Sequence, residues 1–478
     1  MSGADRDLAF APVSVVGEQI RRREVSPVEL VQCVLERIER FDGQMRAYIS
    51  VIAETAVEEA RRAERELGEG RYRGPLHGIP IAVKDNIIAR GTRTTCASLI
   101  EPDWLPDEDA AVVAKLRTAG AVLVGKANLF EYAFSMSPAF PPPLNPWNAA
   151  KSSSGSSSGS AVAVASGMAQ ASIGSDTGGS GRQPATANGV VGLKPTFGRI
   201  DATGVVPLSW SLDTVSIFSR TSLDASIMLD ATSDAQPGAT TTATDLASAG
   251  KRDRPLASRR IALAVGYSVE GIDPDVEAAI AGALDVLRRL GAIVEEVQLP
   301  HVRAAGLIQR AIMLPEAAAF HHEAHRSSAD RFGEAAVTRL DLGGVIPATA
   351  YLRAQQFREV MVGEYRQLFT RYDAIVGPAN PTRVGPAGEW STTVGDRVID
   401  LRDVAPEYTG LHNLTGMPAI VIPGGFSTEG TPIGLQIAGP WWEEARILGI
   451  AHAFEQATDW HRQRPPLPDG LPEQVAGA

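Results

Sequence analysis

The chain has 478 residues, of which 44% are hydrophobic and 21% charged, and this composition is typical of a globular protein with one large domain or two ordinary ones. The formal net charge of −11 argues against nucleic acid or an anionic membrane surface as a partner. Two cysteines, Cys33 and Cys96, exclude a disulfide framework and a zinc site with four cysteine ligands.

The N-terminal segment predicts a protein that begins without a targeting sequence. MSGADRDLAFAPVS lacks the basic and apolar regions of a signal peptide, and no apolar run in the chain is long enough to cross a bilayer, so we expect a cytoplasmic location. SPVELVQCVLERIERFD predicts the first long helix, with Ser26 as the N-cap and Pro27 at the first helical position. Apolar residues recur on one face of this helix at Val28, Val31, Val34, Leu35 and Ile38.

Short strands and helices then alternate along the chain. PLHGIPIAVKDNI predicts a buried strand over residues 80–83 that ends at Lys84. DAAVVAKLRTAGAVLVGKANL predicts a helix with Gly120 at its C-cap and a strand after it. DVEAAIAGALDVLRRLGAIVEEVQL repeats this order, with Asp273 opening the helix and Gly291 closing it, and YDAIVGPANPT and MPAIVIPGGF predict further strands. The alternation predicts an α/β fold with helices on both faces of one sheet.

Two segments outside these elements are polar and rich in small residues or proline. Residues 232–255 predict a surface loop, and residues 459–478 predict a polar, proline-rich tail. Neither segment divides the chain into independent domains.

Residues 151–195 carry the strongest chemical signal. Two small-residue loops, SGSSSGS and GSDTGGS, flank one short apolar run, a pattern that a flexible linker does not show. Acyl-bond hydrolysis needs a nucleophile, a base and hydrogen-bond donors for an oxyanion. Ser180 ends the second loop and is the candidate nucleophile. The candidate oxyanion donors are the N–H groups of Thr177, Gly178, Gly179 and Ser180.

The roles of the residues that bracket this loop, and of the base, need more than local pattern. We expect Asp176 and Arg182 to bond to each other or to the loop and hold its shape, although Asp176 could form a simple Asx-turn. No histidine lies in a comparable glycine-rich setting. Lys84 can serve as the base where burial lowers its pKa, but a lysine at a strand end is by itself more often a surface residue.

Taken together, these segments resemble the amidase signature family of serine hydrolases over nearly the whole chain. The resemblance is strongest in GIPIAVKDN, SGSSSGSAVAVASG, GSDTGGSGRQPA and GVVGLKPTFGR, and it returns at SLDTVSIFSRT, NLTGMPAIVIPGGF and PIGLQIAGPWW. It implies the amidase signature fold, a twisted mixed β-sheet covered by helices on both faces. It also implies a single domain over residues 1–478, with a signature core at about 75–220 and a C-terminal part at about 256–465 that completes the sheet and the substrate cleft.

The family uses a Ser–cis-Ser–Lys triad, and the motifs carry its roles to particular positions. The resemblance implies that Lys84 is the base, Ser180 the nucleophile and Ser156 the bridging serine. Ser157 follows the bridging serine, and the peptide bond between Gly155 and Ser156 is cis in the family. The implied enzyme needs no metal and no cofactor, forms an acyl-enzyme, and hydrolyses amides, with possible activity on esters.

Two features of the chain depart from the family pattern near this triad. Ser154 and Ser158 replace two glycines of the first loop. Gly181 replaces a bulky residue, so we expect more space beside Ser180.

A third departure concerns the substrate. Between Glu131 and Asn145 many relatives carry a polar segment, whereas this chain has YAFSMSPAFPPPL. We hypothesise that Phe134, Met136 and Phe140 line a pocket for an aromatic or aliphatic group. The alternative is a loop that packs on the protein surface.

The leading interpretation is a stand-alone amidase, a monomer or homodimer, that acts on an amide, ester or carbamate with an apolar group. Aryl acylamidase and urethanase activities fall within this range. One alternative is the glutaminase subunit of a tRNA-dependent amidotransferase, which shares the signature. Another is a catalytically silent binding protein, which the presence of Lys84, Ser156 and Ser180 disfavours. His321 and His325 have a spacing that can bind metal, but no third ligand is apparent, so no metal site is expected.

Overall fold

In the computed structural model of the protein, residues 8–234, 254–267, 272–394 and 397–467 are described. Most of the predicted loop over 232–255, and the end of the predicted tail over 459–478, lie outside these ranges. None of the helices within them has the length and hydropathy needed to cross a bilayer.

The described residues contain one large mixed sheet and one small hairpin. The strands are β1 Tyr48–Val51, β2 Pro80–Lys84, β3 Val122–Ala127, β4 Ala171–Asp176, β5 Val191–Lys194, β6 Thr214–Ser219, β7 Arg260–Val265, β8 Ile293–Gln298, β9 Ala374–Pro378, β10 Ser391–Val394, β11 Arg397–Asp400, β12 Ala419–Phe426 and β13 Pro432–Ala438. The sheet has 11 strands in the order β1-β3-β2-β4-β6-β5-β12-β13-β9-β7-β8, and β10 pairs with β11 alone. Neighbours are parallel within β3-β2-β4 and β9-β7-β8 and antiparallel elsewhere.

Helices connect and cover these strands. The α-helices are α1 Val13–Arg21, α2 Pro27–Met45, α3 Ala53–Gly68, α4 Ala111–Thr118, α5 Ser158–Ala165, α6 Arg182–Asn188, α7 Ser222–Thr232, α8 Pro274–Arg289, α9 Ala305–Phe320, α10 His322–Ser328, α11 Glu334–Val345, α12 Ala348–Leu368, α13 Leu401–Ala405, α14 Leu411–Thr415 and α15 Glu444–Gln456. A π-helical turn spans Pro406–Gly410, and short 3₁₀ turns span Val302–Ala304, Ala329–Arg331 and Trp460–Arg462.

The helix starts follow the predicted capping chemistry, whereas the C-caps of α4 and α8 lie one residue before the predicted glycines. The side chain of Ser26 accepts hydrogen bonds from the N–H groups of Val28 and Glu29, and the side chain of Asp273 accepts one at the start of α8. The C-cap of α4 is Ala119 rather than the predicted Gly120. Ala119 still has right-handed dihedrals, whereas Gly120 turns the chain with a φ of +86°, which residues with a side chain rarely adopt.

Helices cover both faces of the sheet, as predicted. Successive side chains of a strand point to opposite faces. Ile81 and Val83 of β2 belong to a core with α1, α4, α7, α8 and α15, whereas Ala82 between them belongs to a core with α2, α3 and α5. The α/β prediction is therefore confirmed.

The two predicted parts of the chain share this one sheet. Strand β5 of the signature core pairs with β12 of the C-terminal part, for example through Leu193 and Ile420. The single-domain organisation stays a prediction, which the shared sheet supports.

A buried carboxyl attaches the C-terminal helix α15 to α7. Glu455 is 2% exposed and accepts hydrogen bonds from the N–H and the hydroxyl of Ser222. Burial raises the pKa of Glu455 from 4.5 to about 8, although both bonds from Ser222 lower it. Glu455 is therefore mostly protonated in the folded protein at neutral pH.

This raised pKa predicts how stability depends on pH. Between about pH 4.5 and pH 8 the folded protein holds a proton that the unfolded chain has lost, so the contribution of Glu455 to the free energy of unfolding falls as the pH rises. We expect Glu455→Gln to gain stability relative to the wild type, on the order of 3 kcal/mol, between pH 5 and pH 9 in urea unfolding. The matched variant Glu443→Gln changes a half-buried carboxyl that pairs with Arg446 at the start of the same helix, and it should show no such trend. A constant difference between Glu455→Gln and wild type would contradict the prediction.

Candidate active site

Strands β2 and β4 run parallel and end side by side, which brings Lys84 next to Ser175. Val83 pairs with Ile173, so the residues that follow both lie at one edge of the sheet. The side chain of Lys84 is fully buried, and its Nζ donates to Ser156 Oγ and Ser175 Oγ, each at 2.8 Å. Sequence analysis did not single out Ser175, although it lies within GSDTGGS.

The protonation of Lys84 follows from its surroundings. Burial lowers the pKa of Lys84 from 10.5 to about 7, although the carboxylates of Asp213 and Asp176 raise it. A large fraction of Lys84 is therefore neutral near pH 7 and able to accept a proton.

The first serine loop places Ser156 against Lys84. The peptide bond between Gly155 and Ser156 is cis, as the resemblance implied. Gly155 packs against the ring of Phe130 so closely that a Cβ would lie 2.3 Å from a ring carbon. Only glycine therefore fits at position 155.

Ser157 joins the two serine loops. Its hydroxyl donates to the carbonyl of Ser175 at 3.0 Å, and its N–H donates to the carbonyl of Ser180 at 3.3 Å. The residue after Ser156 thus holds the backbone of the candidate nucleophile.

The carboxylate of Asp176 stabilises the GSDTGGS loop through hydrogen bonds to its backbone. Its carboxylate accepts hydrogen bonds from the N–H groups of Gly179 at 2.7 Å and Gly181 at 3.1 Å, and from Arg182 Nε at 2.9 Å. Burial opposes ionisation, but the charge and hydrogen bonds of Arg182 lower the pKa of Asp176 to about 2. The expected bond between Asp176 and Arg182 is present, and the carboxylate also bonds to the loop.

One expectation for the oxyanion donors needs correction. The N–H of Gly179 already donates to Asp176, so in this geometry it is engaged in holding the loop. Gly179 has a φ of +124°, and a Cβ there would lie 2.3 Å from Thr409 Oγ1, so the position requires glycine for the turn. Thr177, Gly178 and Ser180 keep their assignment as predicted donors.

The backbone of the loop is fixed by side chains from the C-terminal part of the chain. Gln309 of α9 donates to the carbonyl of Thr177 at 2.9 Å, and Thr409 donates to the carbonyl of Gly178 at 2.7 Å. Arg182 extends this attachment through bonds to the Thr409 carbonyl and to the Asn413 side chain, both at 2.8 Å. Asn413 lies in the motif NLTGMPAIVIPGGF, but nothing in the sequence predicted that its side chain contacts Arg182.

A second carboxyl, that of the half-buried Asp213, also contacts the loop. Asp213 accepts a hydrogen bond of 2.6 Å from Thr177 Oγ1 and further bonds from the N–H groups of Leu208 and Ser209. Burial raises the pKa of Asp213 to about 6, against these bonds and the charge of Lys84. Asp213 lies in SLDTVSIFSRT, so that motif could have identified it as a site residue.

Ser156 and Ser180 line one cavity of about 210 Å³, together with Thr177 and Gly178. Of the three predicted apolar residues, Phe134 and Met136 line the cavity and Phe140 does not. Ser137 Oγ accepts the N–H of Phe140 at 3.0 Å, in a turn that carries the chain past the cavity. The prediction for Phe140 was therefore wrong.

Other walls come from parts of the chain that sequence analysis did not connect to the site. The apolar ones share no motif and are far apart in the sequence: Phe130, Leu208, Met313, Val384, Trp390 and Leu401. Their convergence depends on tertiary packing.

The expected extra space beside Ser180 is also absent. A Cβ on Gly181 would lie 2.6 Å from the side chain of Ser216 on β6, and Gly181 does not line the cavity. A neighbouring strand therefore fills the volume that the glycine leaves, and the expectation was wrong.

Charged side chains stand at the cavity walls. Arg383 pairs with Asp273 at 2.9 Å, and Arg402 pairs with Asp400. Arg339 forms no ion pair within the described residues; its guanidinium donates to the carbonyl of Phe134 and lies 5.2 Å from the centre of the Phe134 ring.

The histidine pair does not form a metal site. Within the described ranges, no group of three or more His, Cys, Asp or Glu is arranged to hold a metal ion. The ring of His321 packs edge-on against Tyr132, and His325 lies 3.4 Å from Asp341.

Comparison with curated proteins shows full-length relatives that are named as one of the subunits of glutamyl-tRNA(Gln) amidotransferase. The relative from Carboxydothermus hydrogenoformans is 36% identical over 96% of this chain and 100% of its own length. Relatives of this name support the alternative of an amidotransferase subunit better than a stand-alone aryl amidase. As their name refers to a tRNA and to one subunit of an enzyme, they also weaken the expectation of a monomer or homodimer without such partners.

Solved structures show the same fold in enzymes with other names. A structure described as an amidase has a TM-score of 0.85 and 28% identity over 93% of this chain and 99% of its own. A 6-aminohexanoate cyclic dimer hydrolase with bound substrate has a TM-score of 0.85 and 26% identity over 96% and 99%. The profile of the amidase family matches residues 29–448. The chain therefore belongs to the amidase family and is an enzyme of the class that acts on carbon–nitrogen bonds other than peptide bonds.

Proposed function

We propose that the protein hydrolyses the C–N bond of a small carboxamide through an acyl-enzyme on Ser180. The observation that carries this proposal is the buried amine of Lys84, which is bonded to Ser156, a residue that lines the same cavity as Ser180. A lysine without access to water and with a pKa near 7 is suited to general-base work at neutral pH.

In the proposed first half-reaction one proton passes from Ser180 toward Lys84, and one proton then passes back to the leaving nitrogen. Neutral Lys84 takes the hydroxyl proton of Ser156, and Ser156 takes the hydroxyl proton of Ser180. At the same time the Oγ of Ser180 forms a bond to the amide carbon. The relay then returns a proton to the nitrogen, the C–N bond breaks, and ammonia or an amine leaves. Water then attacks the Ser180 ester with the same base, and a carboxylic acid is released.

The negative charge on the tetrahedral intermediate needs donors that are already in place. The N–H groups of Thr177, Gly178 and Ser180 are proposed for this, since the loop that carries them is fixed by Asp176 and by side chains from α9 and the π-helical turn. Pre-organised donors require no rearrangement during the reaction.

The rate at which a fluorophosphonate labels Ser180 tests this proposal without knowledge of the substrate. We expect one adduct, on Ser180, with a rate that rises about tenfold per pH unit below pH 7 and levels above it, because Lys84 must lose its proton. Lys84→Ala should label about 10² to 10⁴ times more slowly. The measurement is intact mass against time, with the adduct mapped by peptide sequencing.

Lys194→Met is the matched control for this experiment. Lys194 is also fully buried with a pKa lowered to about 7, but its Nζ donates to the carbonyl of Pro195 and not to a serine of the site. The rate at which Ser180 is labelled, and its dependence on pH, should be the same in Lys194→Met as in the wild type. An adduct on another serine, or equal labelling of Lys84→Ala, would refute the relay. No adduct on any serine of the folded protein would favour the silent binding protein.

Two substrate classes are each supported by a specific observation, and the relatives favour glutamine. A glutaminase subunit would release ammonia from glutamine in the cytoplasm for a partner protein to use. Two relatives of this chain, at 36% and 38% identity, are named as amidotransferase subunits. Arg339 adds support from the cavity, because a guanidinium without a carboxylate partner suits the α-carboxylate of glutamine.

Competition with labelling tests the glutamine candidate even if turnover needs a partner protein. We expect glutamine to slow labelling of Ser180 in the wild type, with at least tenfold weaker protection in Arg339→Met. Protection by benzamide, which has no carboxylate, should be equal in both proteins. Absence of protection by glutamine at any concentration would exclude this candidate.

The second candidate is an amide with an aromatic or aliphatic group, including anilides and carbamates. The apolar walls around Ser180 support it, above all Phe134, which is 5% exposed and lines the cavity.

Phe134 and Phe140 form a matched pair for testing the second candidate. Phe134→Ala should lower kcat/KM for benzamide or acetanilide about tenfold or more, because a buried ring contact is lost. Phe140→Ala, in the same loop but outside the cavity, should leave kcat/KM unchanged. Equal effects of both variants would show that the loop acts through its fold and not through contact with substrate.

A further inference from the structure

One wall of the candidate active-site cavity comes from two segments that are far apart in the sequence. The segment after β3 contributes Phe130, Ala133, Phe134 and Met136, and α11 contributes Arg339. Buried apolar side chains of both segments belong to one cluster, which is distinct from the cores on the two faces of the sheet. The shape of this wall therefore depends on what joins the two segments.

Glu131 is the side chain that joins them. It is 0% exposed, and its Oε2 accepts the N–H of Gly333, the residue before α11, at 2.9 Å. Its Oε1 accepts the hydroxyl of Ser98 at 2.8 Å. A Cβ on Gly333 would lie 3.0 Å from Oε2, so the carboxyl lies directly against the start of the helix. Glu131 thus fixes the start of α11 to the segment that lines the cavity.

A second link joins the same two segments farther along the helix. Arg339 donates to the carbonyl of Phe134, and its guanidinium lies 5.2 Å from the centre of the Phe134 ring. The N–H of Phe134 in turn donates to the carbonyl of Glu131 at 2.8 Å. The contacts therefore form a closed ring from Glu131 through Gly333 and α11 to Arg339, Phe134 and back to Glu131. Because the ring is closed, a change at Glu131 affects both side chains that line the cavity.

The surroundings of Glu131 are unfavourable to the folded chain in two respects. Tyr132 and Ala133, which follow it, have φ values of +47° and +61°, a left-handed conformation that is strained for residues with a side chain. The carboxyl is bonded to neutral groups, and burial raises the pKa of Glu131, although the bonds from Gly333 and Ser98 lower it. Strained backbone is typical of functional sites, and here Ala133 lines the cavity.

We propose that Glu131 is a positioning residue that sets the substrate preference of the candidate active site, because it holds Phe134 and Arg339 in the cavity wall. The inference rests on the proposed function, since it concerns the wall that is assigned there to the substrate. Glu131 itself does not line the cavity and takes no part in the proton relay. It therefore acts on which ligand fits, and not on the reacting atoms.

Hydrogen–deuterium exchange of the whole protein tests the positioning without any substrate. Glu131→Leu removes both acceptor oxygens, and we expect exchange to become about tenfold faster in peptides covering residues 132–137 and 334–345. Peptides that cover the GSDTGGS loop should not change. Glu131→Gln should exchange like the wild type, because an amide can accept from the N–H of Gly333 and donate to the Ser98 hydroxyl. Glu334→Leu is the matched control, since it changes an exposed carboxyl in the first turn of the same helix.

Isothermal titration calorimetry with benzamide, glutamine and acetamide tests the effect on substrate preference. The titrations use Ser180→Ala as the parent protein, so that no ligand is hydrolysed. Acetamide has neither the ring that Phe134 would contact nor the carboxylate that Arg339 would bind. We expect Glu131→Leu to weaken binding of the tighter of the other two ligands about tenfold and to leave acetamide binding unchanged. Glu131→Gln should keep the preference of the parent.

A double variant distinguishes positioning from a general loss of structure. If benzamide is the tighter ligand, Glu131→Leu should have little further effect in Phe134→Ala protein, because the positioned ring is already absent. If glutamine is the tighter ligand, the same should hold in Arg339→Met protein. A general loss of structure would instead weaken binding again by the same factor, and acetamide binding with it.

Ser98→Ala decides the outcome if Glu131→Leu does not fold. It removes one of the two bonds to the carboxyl, and we expect a weakening of about threefold in the same direction. The proposal is overturned by unchanged exchange, by an unchanged ligand preference, by equal weakening of all three ligands, or by the absence of saturable binding of both benzamide and glutamine to the parent. Failure of the proposed function is seen separately, as the absence of an adduct on Ser180 in the labelling experiment.

Discussion

A lysine amine without access to water must find hydrogen-bonding partners or lose its proton, and this constraint shapes the surroundings of Lys84. Parallel pairing of β2 with β4 puts the amine beside Ser175, and the first serine loop adds Ser156. Both partners are neutral hydroxyls, so they satisfy the amine without holding it in the charged form as a carboxylate in contact would. Asp176 and Asp213, whose charges act on Lys84, are bonded to other groups, and they raise the pKa of Lys84 less than burial lowers it.

The ion pair of Asp176 and Arg182 links the serine loops to the C-terminal part of the chain. A buried ion pair contributes little net stability by itself, because both charges lose their hydration. Here each member makes further bonds, Asp176 to loop N–H groups and Arg182 to Thr409 and Asn413. Removal of either residue would leave a buried charge and release the loop. This arrangement explains how a glycine-rich loop keeps one conformation, although its residues have little intrinsic preference for it.

The reacting groups and the cavity walls come from different elements of the fold. The family profile spans residues 29–448, and the serine loops adjoin β4 and α5 and are held by side chains from α9, the π-helical turn and α14. The cavity walls instead come from the loop after β3, from α9 and from the region around the β10–β11 hairpin. Relatives can therefore share the fold and act on different compounds, as the names of the amidotransferase subunits and of the 6-aminohexanoate dimer hydrolase indicate. Arg339 and Phe134, which touch each other at one wall, support the two proposed substrates respectively.

The sequence by itself determined those features that depend on neighbouring residues in the chain. Capped helix starts at Ser26 and Asp273 and the strand that ends at Lys84 follow from local dihedral preferences and hydrogen bonds. Ser180 was predicted as the nucleophile because it ends a glycine-rich loop, whereas Ser156 was predicted through the resemblance to the amidase signature family. Tertiary structure decided the rest: which N–H group of the loop is engaged by Asp176, whether Ser216 fills the space at Gly181, and whether Phe140 reaches the cavity. Each of these three features depends on a contact between a side chain and the backbone that forms only when the chain folds. The spacing of residues along the chain does not predict such contacts.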